Sequence, residues 1–292
     1  YAAKARQWSE KVKDISEWMP VADTRWRDYQ VGDLATIFLP ETRVTARDRP
    51  FEIDEIVAGG GDAAAKLKAF AETAYRDPAR QLMGSDQEKW LFGGLAASKK
   101  AGTRWQVCAQ QIVTGTLFTP PESANWFGAN PPEVVRRRVA ASQLAAKAGL
   151  PLNMDAWDGY PAARDRLLGA AQSVDADLVM LAGDSHNAWA FDLAHDGRPA
   201  GIEVGGHSVT SPGFENYTQG ISEETRVAAL RGSSPQLKWA NTRDRGYVSV
   251  AMTPEKVTAH WHSVETIREK SLALKDTHSM TVRRGKRMYD VV

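Results

Sequence analysis

The sequence of 292 residues has a single cysteine, almost no net charge and no long hydrophobic segment. One cysteine, Cys108, excludes an internal disulfide framework and a zinc site built from cysteines. The 37 Lys and Arg residues nearly balance the 36 Asp and Glu residues, which leaves a formal charge of +1. The chain therefore has no overall field that would attract nucleic acid or an anionic membrane. No apolar run reaches the roughly 18 residues that a membrane-spanning helix requires.

The composition is that of a globular protein, with 42% apolar and 25% charged residues. It excludes a disordered, collagen-like or coiled-coil chain. The length fits two domains of about 150 residues each, and it fits one large α/β or sandwich domain equally well. We expect one domain over residues 1–269, followed by a basic and weakly patterned tail over residues 270–292.

Apolar periodicity predicts helices mixed with strands in the first half of the chain and a strand-rich second half. The predicted helices are 2–17, 63–76, 85–99, 132–148 and 161–173. The predicted strands are 33–39, 104–115, 177–182, 189–193, 201–209, 246–252 and 256–264. Ser85 is a candidate N-cap, with Glu88 at the third helical position. This order of elements is typical of a layered α/β protein.

The most informative segment is Gly183-Asp184-Ser185-His186-Asn187, which directly follows a predicted buried strand. Open α/β sheets bind their ligands at the carboxyl ends of strands. Asp184 and His186 lie two residues apart on this loop, so their side chains can converge on one hard or borderline cation. The alternative is that Asp184 caps backbone N–H groups and His186 is an ordinary hydrogen-bonded histidine, because two ligands alone do not make a metal site.

A serine hydrolase is a second interpretation of the same segment. Gly-Asp-Ser also opens the nucleophile block of SGNH-type esterases, so Ser185 would be the nucleophile, His195 the base and Asp192 the residue that orients the base. In that family the two blocks lie at opposite ends of the domain, whereas here a short stretch separates them. The α/β-hydrolase motif fails as well, because Asn187 stands where its second glycine belongs.

Several short motifs occur along the chain in an informative order. They are Glu17-Trp18-Met19-Pro20, Gly32-Asp33-Leu34 followed by Thr42-Arg43, Trp157-Asp158-Gly159-Tyr160-Pro161 with Arg164, Gly183 to Trp189, Thr210-Ser211-Pro212-Gly213 and Arg245-Gly246-Tyr247. Each motif alone is weak, but the ordered set resembles the C-terminal part of the alkaline phosphatase D (PhoD-like) enzymes. These enzymes belong to the calcineurin-like metallophosphoesterase superfamily.

The resemblance implies a four-layer αββα sandwich, two mixed sheets between helices, of which this chain would supply the C-terminal part. It also implies hydrolysis of phosphate esters by a hydroxide that metal ions activate. Asp184 and His186 would then be metal ligands, with calcium, iron or manganese as candidate ions. Asp158, Tyr160 and Arg164 would line or brace the catalytic cleft; the alternative is that these three residues only form a helix start.

The early metal-binding motifs of the resembled family do not occur in this sequence, and the first predicted helix begins almost at residue 1. We therefore expect the chain to be incomplete as an enzyme, with weak activity unless an upstream half or a companion N-terminal fragment is present. A non-catalytic remnant that keeps the fold for binding is a further possibility. The resemblance also implies a periplasmic or secreted location.

Overall fold

The computed structural model of the protein describes residues 26–290. The strands of its larger sheet are β1 (Arg27–Val31), β2 (Ala35–Leu39), β3 (Trp105–Ala109), β4 (Leu178–Ala182), β5 (Ala188–His195), β6 (Arg198–Gly205) and β7 (Leu237–Asn241). Their order is β1-β2-β3-β4-β6-β5-β7. β2, β3, β4 and β6 run parallel to one another, and the remaining pairs are antiparallel.

A smaller sheet is formed by β8 (Gly246–Met252), β9 (Lys256–Val264) and β10 (Leu274–Arg283). Its order is β10-β9-β8, and both pairs are antiparallel. Val257, Ala259 and Trp261 of β9 are buried, whereas the residues between them are partly exposed. This alternation was expected from the sequence, because a strand with one buried face repeats every two residues.

The two sheets pack face to face through one apolar cluster. Val179, Ala190 and Val204 contribute from the large sheet, and Val257 and Trp261 from the small one. Each large side chain buried in this way stabilises the fold by about 1.5–3 kcal/mol. The Trp261 indole also donates a hydrogen bond of 2.8 Å to the carbonyl of Gly205, which ties the small sheet to the end of β6.

Helices lie on the opposite side of the large sheet, some packed on the sheet itself and some packed against other helices. They are α1 (Ile53–Val57), α2 (Ala63–Glu72), α3 (Ser85–Lys100), α4 (Glu133–Lys147), α5 (Pro161–Ser173) and α6 (Glu223–Ser233). Leu91 of α3, Leu167 of α5 and Leu230 of α6 share one core with Cys108 of β3. Cys108 is fully buried, and burial raises the pKa of its thiol to about 12. No helix within residues 26–290 is both long and apolar enough to cross a membrane.

These layers confirm the predicted α/β sandwich of two packed sheets. The small sheet is antiparallel rather than mixed. Its outer face is open within the described residues, where Tyr247 is 51% exposed. The described part of the chain thus forms a helix layer and two sheet layers of the predicted four.

Two of the helix starts predicted from the sequence are not borne out in the described residues, one because it lies outside them and one because its cap differs. The predicted helix over residues 2–17 lies outside the described residues. The prediction that Ser85 caps a helix was wrong, because Ser85 is the first residue of α3 and the N-cap is Gly84, which offers no side-chain cap. Gly84 has a φ of +81° there, and a Cβ atom would lie 2.6 Å from that of Ala46, so glycine is required by the close approach.

The segment that the sequence separated as a basic tail over 270–292 contains β10, a full strand of the small sheet. β10 is an edge strand in which only Met280 and Val282 are buried, so its apolar pattern is too short to be recognised in the sequence. Beyond it, Tyr289 is buried and donates a hydrogen bond of 2.9 Å to the carbonyl of Glu203. Residues 274–290 are therefore integrated into the sandwich.

The parallel strands determine where a ligand site can form. Because β2, β3, β4 and β6 are parallel, the loops that begin at Pro40, Gln110, Gly183 and Gly206 leave the sheet at one common edge. A hydrogen bond of 2.8 Å from Gly206 N–H to the carbonyl of Ala182 continues the pairing of β4 and β6 into these loops. We refer to this border of the large sheet as the carboxyl edge.

Candidate functional site

The loop after β4 presents Asp184 and His186 at the carboxyl edge. Both residues are exposed, and both have a φ of +62°, in the left-handed region that non-glycine residues seldom occupy. The Gly183 N–H donates to the carbonyl of Gln111 at 3.1 Å, which anchors the start of the loop to the neighbouring loop after β3. The two side chains predicted as metal ligands therefore stand on one short, anchored loop with their polar atoms toward solvent.

The orientation of His186 is set by the loop after β6. Its Nδ1 lies 3.0 Å from the carbonyl oxygen of Pro212, which can only accept a hydrogen bond. We therefore assign the proton to Nδ1, and this assignment leaves a lone pair on Nε2 that can accept a hydrogen bond or bind a metal ion. A histidine whose second nitrogen is held by a carbonyl in this way is the usual arrangement of a metal-ligating imidazole.

Asp184 has a cationic neighbour in the loop after β2. Its Oδ2 lies 3.9 Å from Nη1 of Arg43, and the same Nη1 donates to Oδ2 of Asp155 at 3.1 Å. Arg43 was part of no predicted site. The signal available in the sequence was its place directly after a strand, Pro40-Glu41-Thr42-Arg43, which becomes informative only when β2 is known to lie parallel to β4.

Ser185 and Asn187, which lie beside the two predicted ligands, hold the loop in shape. The Ser185 hydroxyl accepts a hydrogen bond of 2.7 Å from the Trp189 indole. The buried Asn187 amide donates to the carbonyl of Ser185 at 2.6 Å and accepts from the N–H of Phe214 at 3.1 Å. These bonds connect the loop to β5 and to the segment after β6.

The same geometry does not favour a serine esterase. His195 closes β5, and at about 3.3 Å per residue the strand carries it roughly 20 Å or more from Ser185. The His195 imidazole lies instead 3.5 Å from carboxylate oxygens of Asp165 and of Asp196. Asp192 accepts the N–H of Tyr289 at 2.9 Å, so the three residues of the proposed triad do not meet.

Asp158 lies below the carboxyl edge and is 4% exposed. Its carboxylate accepts the N–H of Leu117 at 3.0 Å and lies 3.9 Å from Nη1 of Arg164. Burial raises the pKa of Asp158 to about 6, although Arg164 and the hydrogen bonds from Leu117 and Thr116 act in the opposite direction. This carboxylate fastens the loop after β3 and has no open side toward solvent.

Tyr160 and Arg164 form further internal contacts beside Asp158, and we refer to these three residues, together with Glu203 of β6, as the buried brace. The Tyr160 hydroxyl donates to the carbonyl of Asp48 at 2.6 Å, and its ring lies between the guanidinium groups of Arg47 and Arg80, 4.9 and 4.8 Å from its centroid. Arg164 donates to the Gln236 side chain at 3.2 Å. The contacts of Asp158, Tyr160 and Arg164 are thus internal to the fold, and Tyr160 is also the N-cap residue of α5, as the helix-start alternative requires. Their predicted role at a cleft stays a prediction.

Glu203 of β6 is a member of this brace that the sequence analysis missed. It is fully buried and accepts the N–H groups of Thr114 and Gly115 at 2.6 and 2.8 Å. Burial raises the pKa of Glu203 to about 7 against the effect of these hydrogen bonds. The available signal was an acidic residue inside the apolar stretch Gly201–Val204, where a carboxylate requires buried partners.

Arg245, the first residue of the Arg245-Gly246-Tyr247 motif, lies against an acidic neighbour. It forms an ion pair with Glu215 and donates to the carbonyls of Arg243 and Asp244 at 2.8 and 3.0 Å. Its side chain is 8% exposed, and both of its Nη atoms are engaged by these partners.

The side chains at the carboxyl edge include donor atoms of the types that bind divalent cations, but only a few such donors are present among the described residues. Asp184 offers carboxylate oxygen and His186 offers the Nε2 lone pair, which are ligands that calcium, manganese and iron accept to differing degrees. Within residues 26–290, however, no three His, Cys, Asp or Glu side chains lie close enough to hold one ion together. The described residues would thus supply two ligands of a site whose other positions belong to water, substrate or further residues.

Comparison with known proteins places the chain among phosphatases. The PhoD-like phosphatase family matches residues 9–261. Alkaline phosphatase D of Bacillus subtilis (strain 168) is 31% identical over 206 residues, which cover 68% of this chain and 29% of that protein. A solved structure of PhoD has a TM-score of 0.63 at 24% identity, covering 94% of this chain and 47% of that chain. The chain spans less than half the length of these relatives.

Proposed function

Because the chain belongs to the PhoD-like phosphatase family, we propose that it is part of a metal-dependent phosphoric ester hydrolase whose centre lies at the carboxyl edge. The observation that carries the proposal is the loop after β4, which exposes the Asp184 carboxylate and leaves Nε2 of His186 free to bind a metal ion. Asp184 and His186 are the proposed ligands, and a phosphate ester is the proposed substrate.

The chain's own residues prepare this site. Pro212 holds the imidazole of His186 in one tautomer, and Gln111 holds Gly183, so the imidazole and the backbone of the loop that carries both proposed ligands are fixed. Arg43 keeps positive charge beside Asp184, with its Nη1 3.9 Å from Oδ2 of that residue. A divalent ion at this place would supply Lewis acidity toward the phosphoryl oxygens and lower the pKa of a bound water.

The buried brace contributes positioning and not contact with substrate. Asp158 and Glu203 fasten the loop after β3 from below, and that loop carries Gln111. The 111–118 segment is therefore fixed at both sides while its outer surface stays at the carboxyl edge. Such support from a second layer of residues is what keeps ligating groups in a productive geometry.

Two finer points belong to the same proposal. Calcium, iron or manganese are the candidate ions, because an oxygen and an imidazole ligand suit hard and borderline cations. A periplasmic or secreted location agrees with the family resemblance, and it is consistent with a chain whose single cysteine is buried and unreactive.

We further propose that residues 1–292 alone hydrolyse phosphate esters weakly, and that an upstream half or a companion N-terminal fragment supplies the remaining metal ligands. Metal affinity rises with each donor that is placed in advance, and the described residues place two. The lengths of the relatives agree with this view, since the chain covers 29% and 47% of them.

The test is phosphate release from p-nitrophenyl phosphate by the purified chain, with calcium, manganese or iron added and with EDTA. Weak turnover that EDTA abolishes is expected. Robust turnover by the isolated chain would contradict the need for further ligands, and turnover that survives EDTA would contradict metal dependence. Absence of any metal uptake in equilibrium dialysis would favour the non-catalytic remnant instead.

A further inference from the structure

We propose that Arg43 is a substrate-binding residue that contacts the non-bridging oxygens of the phosphoryl group, and that Glu41 is the positioning residue that builds its turn. The inference rests on the proposed function and adds to it a group outside the predicted ligand pair. It follows from the place, exposure and anchoring of Arg43 at the carboxyl edge.

Arg43 lies close enough to the proposed ligands to share an anion with them. Its Nη1 is 3.9 Å from Oδ2 of Asp184, too far for a good hydrogen bond and near enough for one phosphate to lie against both the guanidinium and a cation held by Asp184. The side chain is 35% exposed, so its outer donors reach solvent. Guanidinium groups bind phosphate through paired hydrogen bonds, which makes arginine the suitable residue for this position.

The other two arginines of this region are already engaged. Arg47 is 6% exposed in its side chain, pairs with Asp155 and lies against the Tyr160 ring. Arg245 is 8% exposed and pairs with Glu215. Within the described residues, the Arg43 side chain uses only Nη1 in a hydrogen bond, to Asp155 at 3.1 Å. Arg43 thus retains donors that the two buried arginines have committed to the fold.

Glu41 holds the turn that presents Arg43. Its carboxylate accepts the backbone N–H groups of Arg43, Val44 and Thr45 at 2.6, 2.8 and 2.7 Å. Burial alone would raise the pKa of Glu41, but these hydrogen bonds and that from the Thr45 hydroxyl outweigh it and hold the pKa below its usual value. The carboxylate therefore stays ionised and keeps the backbone of the turn in one conformation.

A second set of hydrogen bonds fixes this turn relative to Asp184. The backbone N–H and the hydroxyl of buried Thr42 both donate to the side-chain carbonyl of Gln111, at 2.9 and 2.6 Å. The backbone carbonyl of Gln111 in turn accepts the N–H of Gly183 at 3.1 Å. The loops after β2, β3 and β4 are thereby linked, so the separation of Arg43 from Asp184 is determined by the fold and not by a flexible loop.

The test is isothermal titration of the full chain with inorganic phosphate at low ionic strength, with calcium kept below the solubility limit of its phosphate. We expect Arg43→Gln to weaken phosphate binding about tenfold, equivalent to about 1.4 kcal/mol. Arg43→Lys, which keeps the charge and loses the paired donors, should be intermediate. The matched control is Arg104→Gln, which should bind as the unchanged chain does.

Arg104 is a suitable control because its side chain is 36% exposed and forms one long ion pair, 3.6 Å from Asp33, at the opposite end of the sheet. For the positioning role, Glu41→Ala should weaken phosphate binding severalfold, and Glu41→Asp should restore most of it. Equal affinities of the Arg43→Gln and Arg104→Gln variants, or no phosphate binding by the unchanged chain, would overturn the inference.

Calcium uptake by the same variants separates this inference from the proposed function. If Asp184→Asn loses calcium while Arg43→Gln binds phosphate as tightly as the unchanged chain, only the role of Arg43 is refuted. If Asp184→Asn takes up calcium as well as the unchanged chain, the proposed metal centre is refuted. A circular dichroism spectrum of each variant confirms that it has folded before either result is interpreted.

Discussion

Asp184 and Asp158 are two aspartates near the same edge of one sheet, and their surroundings are opposite. The Asp184 side chain is 47% exposed, whereas that of Asp158 is 4% exposed and accepts the N–H of Leu117. The Asp184 carboxylate has oxygen lone pairs available to a ligand, whereas the Asp158 carboxylate uses its lone pairs in contacts inside the protein. The comparison teaches that burial and hydrogen-bond partners separate a candidate ligand from a structural carboxylate, while residue type does not.

The same contrast holds for the arginines that accompany them. Arg43 beside Asp184 keeps exposed donors, and Arg164 beside Asp158 has a side chain that is 13% exposed and bonded to Gln236. We therefore expect stability to depend on Asp158 and Arg164, and ligand binding to depend on Asp184 and Arg43. The four experiments below test this division from the largest expected change to the smallest.

The largest effect is expected from Asp158→Ala. The substitution leaves the Leu117 N–H without an acceptor and Arg164 without its buried carboxylate, which should lower the free energy of unfolding by about 3 kcal/mol or more. Urea unfolding measures it, with Asp184→Ala as the control that should change stability by less than about 1 kcal/mol. Equal losses in the two variants would remove the distinction between brace and ligand.

The buried carboxyl of Glu203 should make stability fall as pH rises. Its pKa is raised from 4.5 to about 7 on folding, so between these values the folded protein retains a proton that the unfolded chain has released. The contribution is complete below pH 4.5 and is lost as pH passes 7, with a span on the order of 3 kcal/mol. Asp158, whose pKa is raised to about 6, acts in the same direction.

Urea unfolding of the Glu203→Gln variant between pH 5 and pH 8 isolates this contribution. The difference in unfolding free energy between the unchanged chain and the variant should shrink or reverse as pH rises, because the glutamine does not ionise. Glu122→Gln, at an exposed position, is the control and should run parallel to the unchanged chain. Parallel curves for Glu203→Gln would show that the carboxyl ionises normally.

Metal binding should depend on the exposed pair. Asp184→Asn and His186→Ala should each weaken calcium or manganese binding tenfold or more, about 1.4 kcal/mol, because each removes one of two ligands. Asp196→Asn is a matched control, since Asp196 is also exposed, has a φ of +49° and lies 3.5 Å from a histidine, His195. Equilibrium dialysis followed by atomic emission measures the bound metal. An equal loss of bound metal in the Asp196→Asn control would show that any surface carboxylate has the same effect, which contradicts a specific site.

The smallest change is expected from Ser185→Ala. Loss of the acceptor for the Trp189 indole should cost about 1 kcal/mol of stability in urea unfolding. Hydrolysis of p-nitrophenyl phosphate should persist at the level of the unchanged chain. The serine esterase hypothesis predicts a different result. In that case both Ser185→Ala and His195→Ala would abolish hydrolysis of p-nitrophenyl acetate, because the two residues would act together.

Much of the fold was accessible from the sequence because its strands are strongly patterned. The alternation around Trp261 and the apolar run before Gly183 predicted β9 and β4 with nearly correct bounds. β10 was not predicted, because an edge strand buries few side chains and therefore has a weak apolar pattern. The Ser85 cap failed because the helix start is decided by the close contact of Gly84 with Ala46, which no local pattern contains.

For the site, local chemistry predicted Asp184 and His186 as ligands, since a polar pair directly after a buried strand is visible in the chain itself, and their metal-binding role stays a prediction. Arg43, Gln111 and Glu203 were not found, because their contacts join residues that lie far apart in the sequence. Asp158, Tyr160 and Arg164 were found as a group, but their burial was not.

Amino-acid order thus sufficed for many of the helices and strands, for the loop that carries Asp184 and His186, and for the family resemblance, because each is a short-range pattern of polarity. It did not suffice for β1, β7, β10, α1 and α6, which were not predicted. Which polar groups meet, and which of them remain open to solvent, was decided by the parallel pairing of β2, β3 and β4. That pairing brings three separate loops to one edge of the sheet, where Asp184 is exposed and Asp158 is buried. The exposure of each aspartate depends on contacts between residues far apart in the sequence, so the local sequence does not contain it.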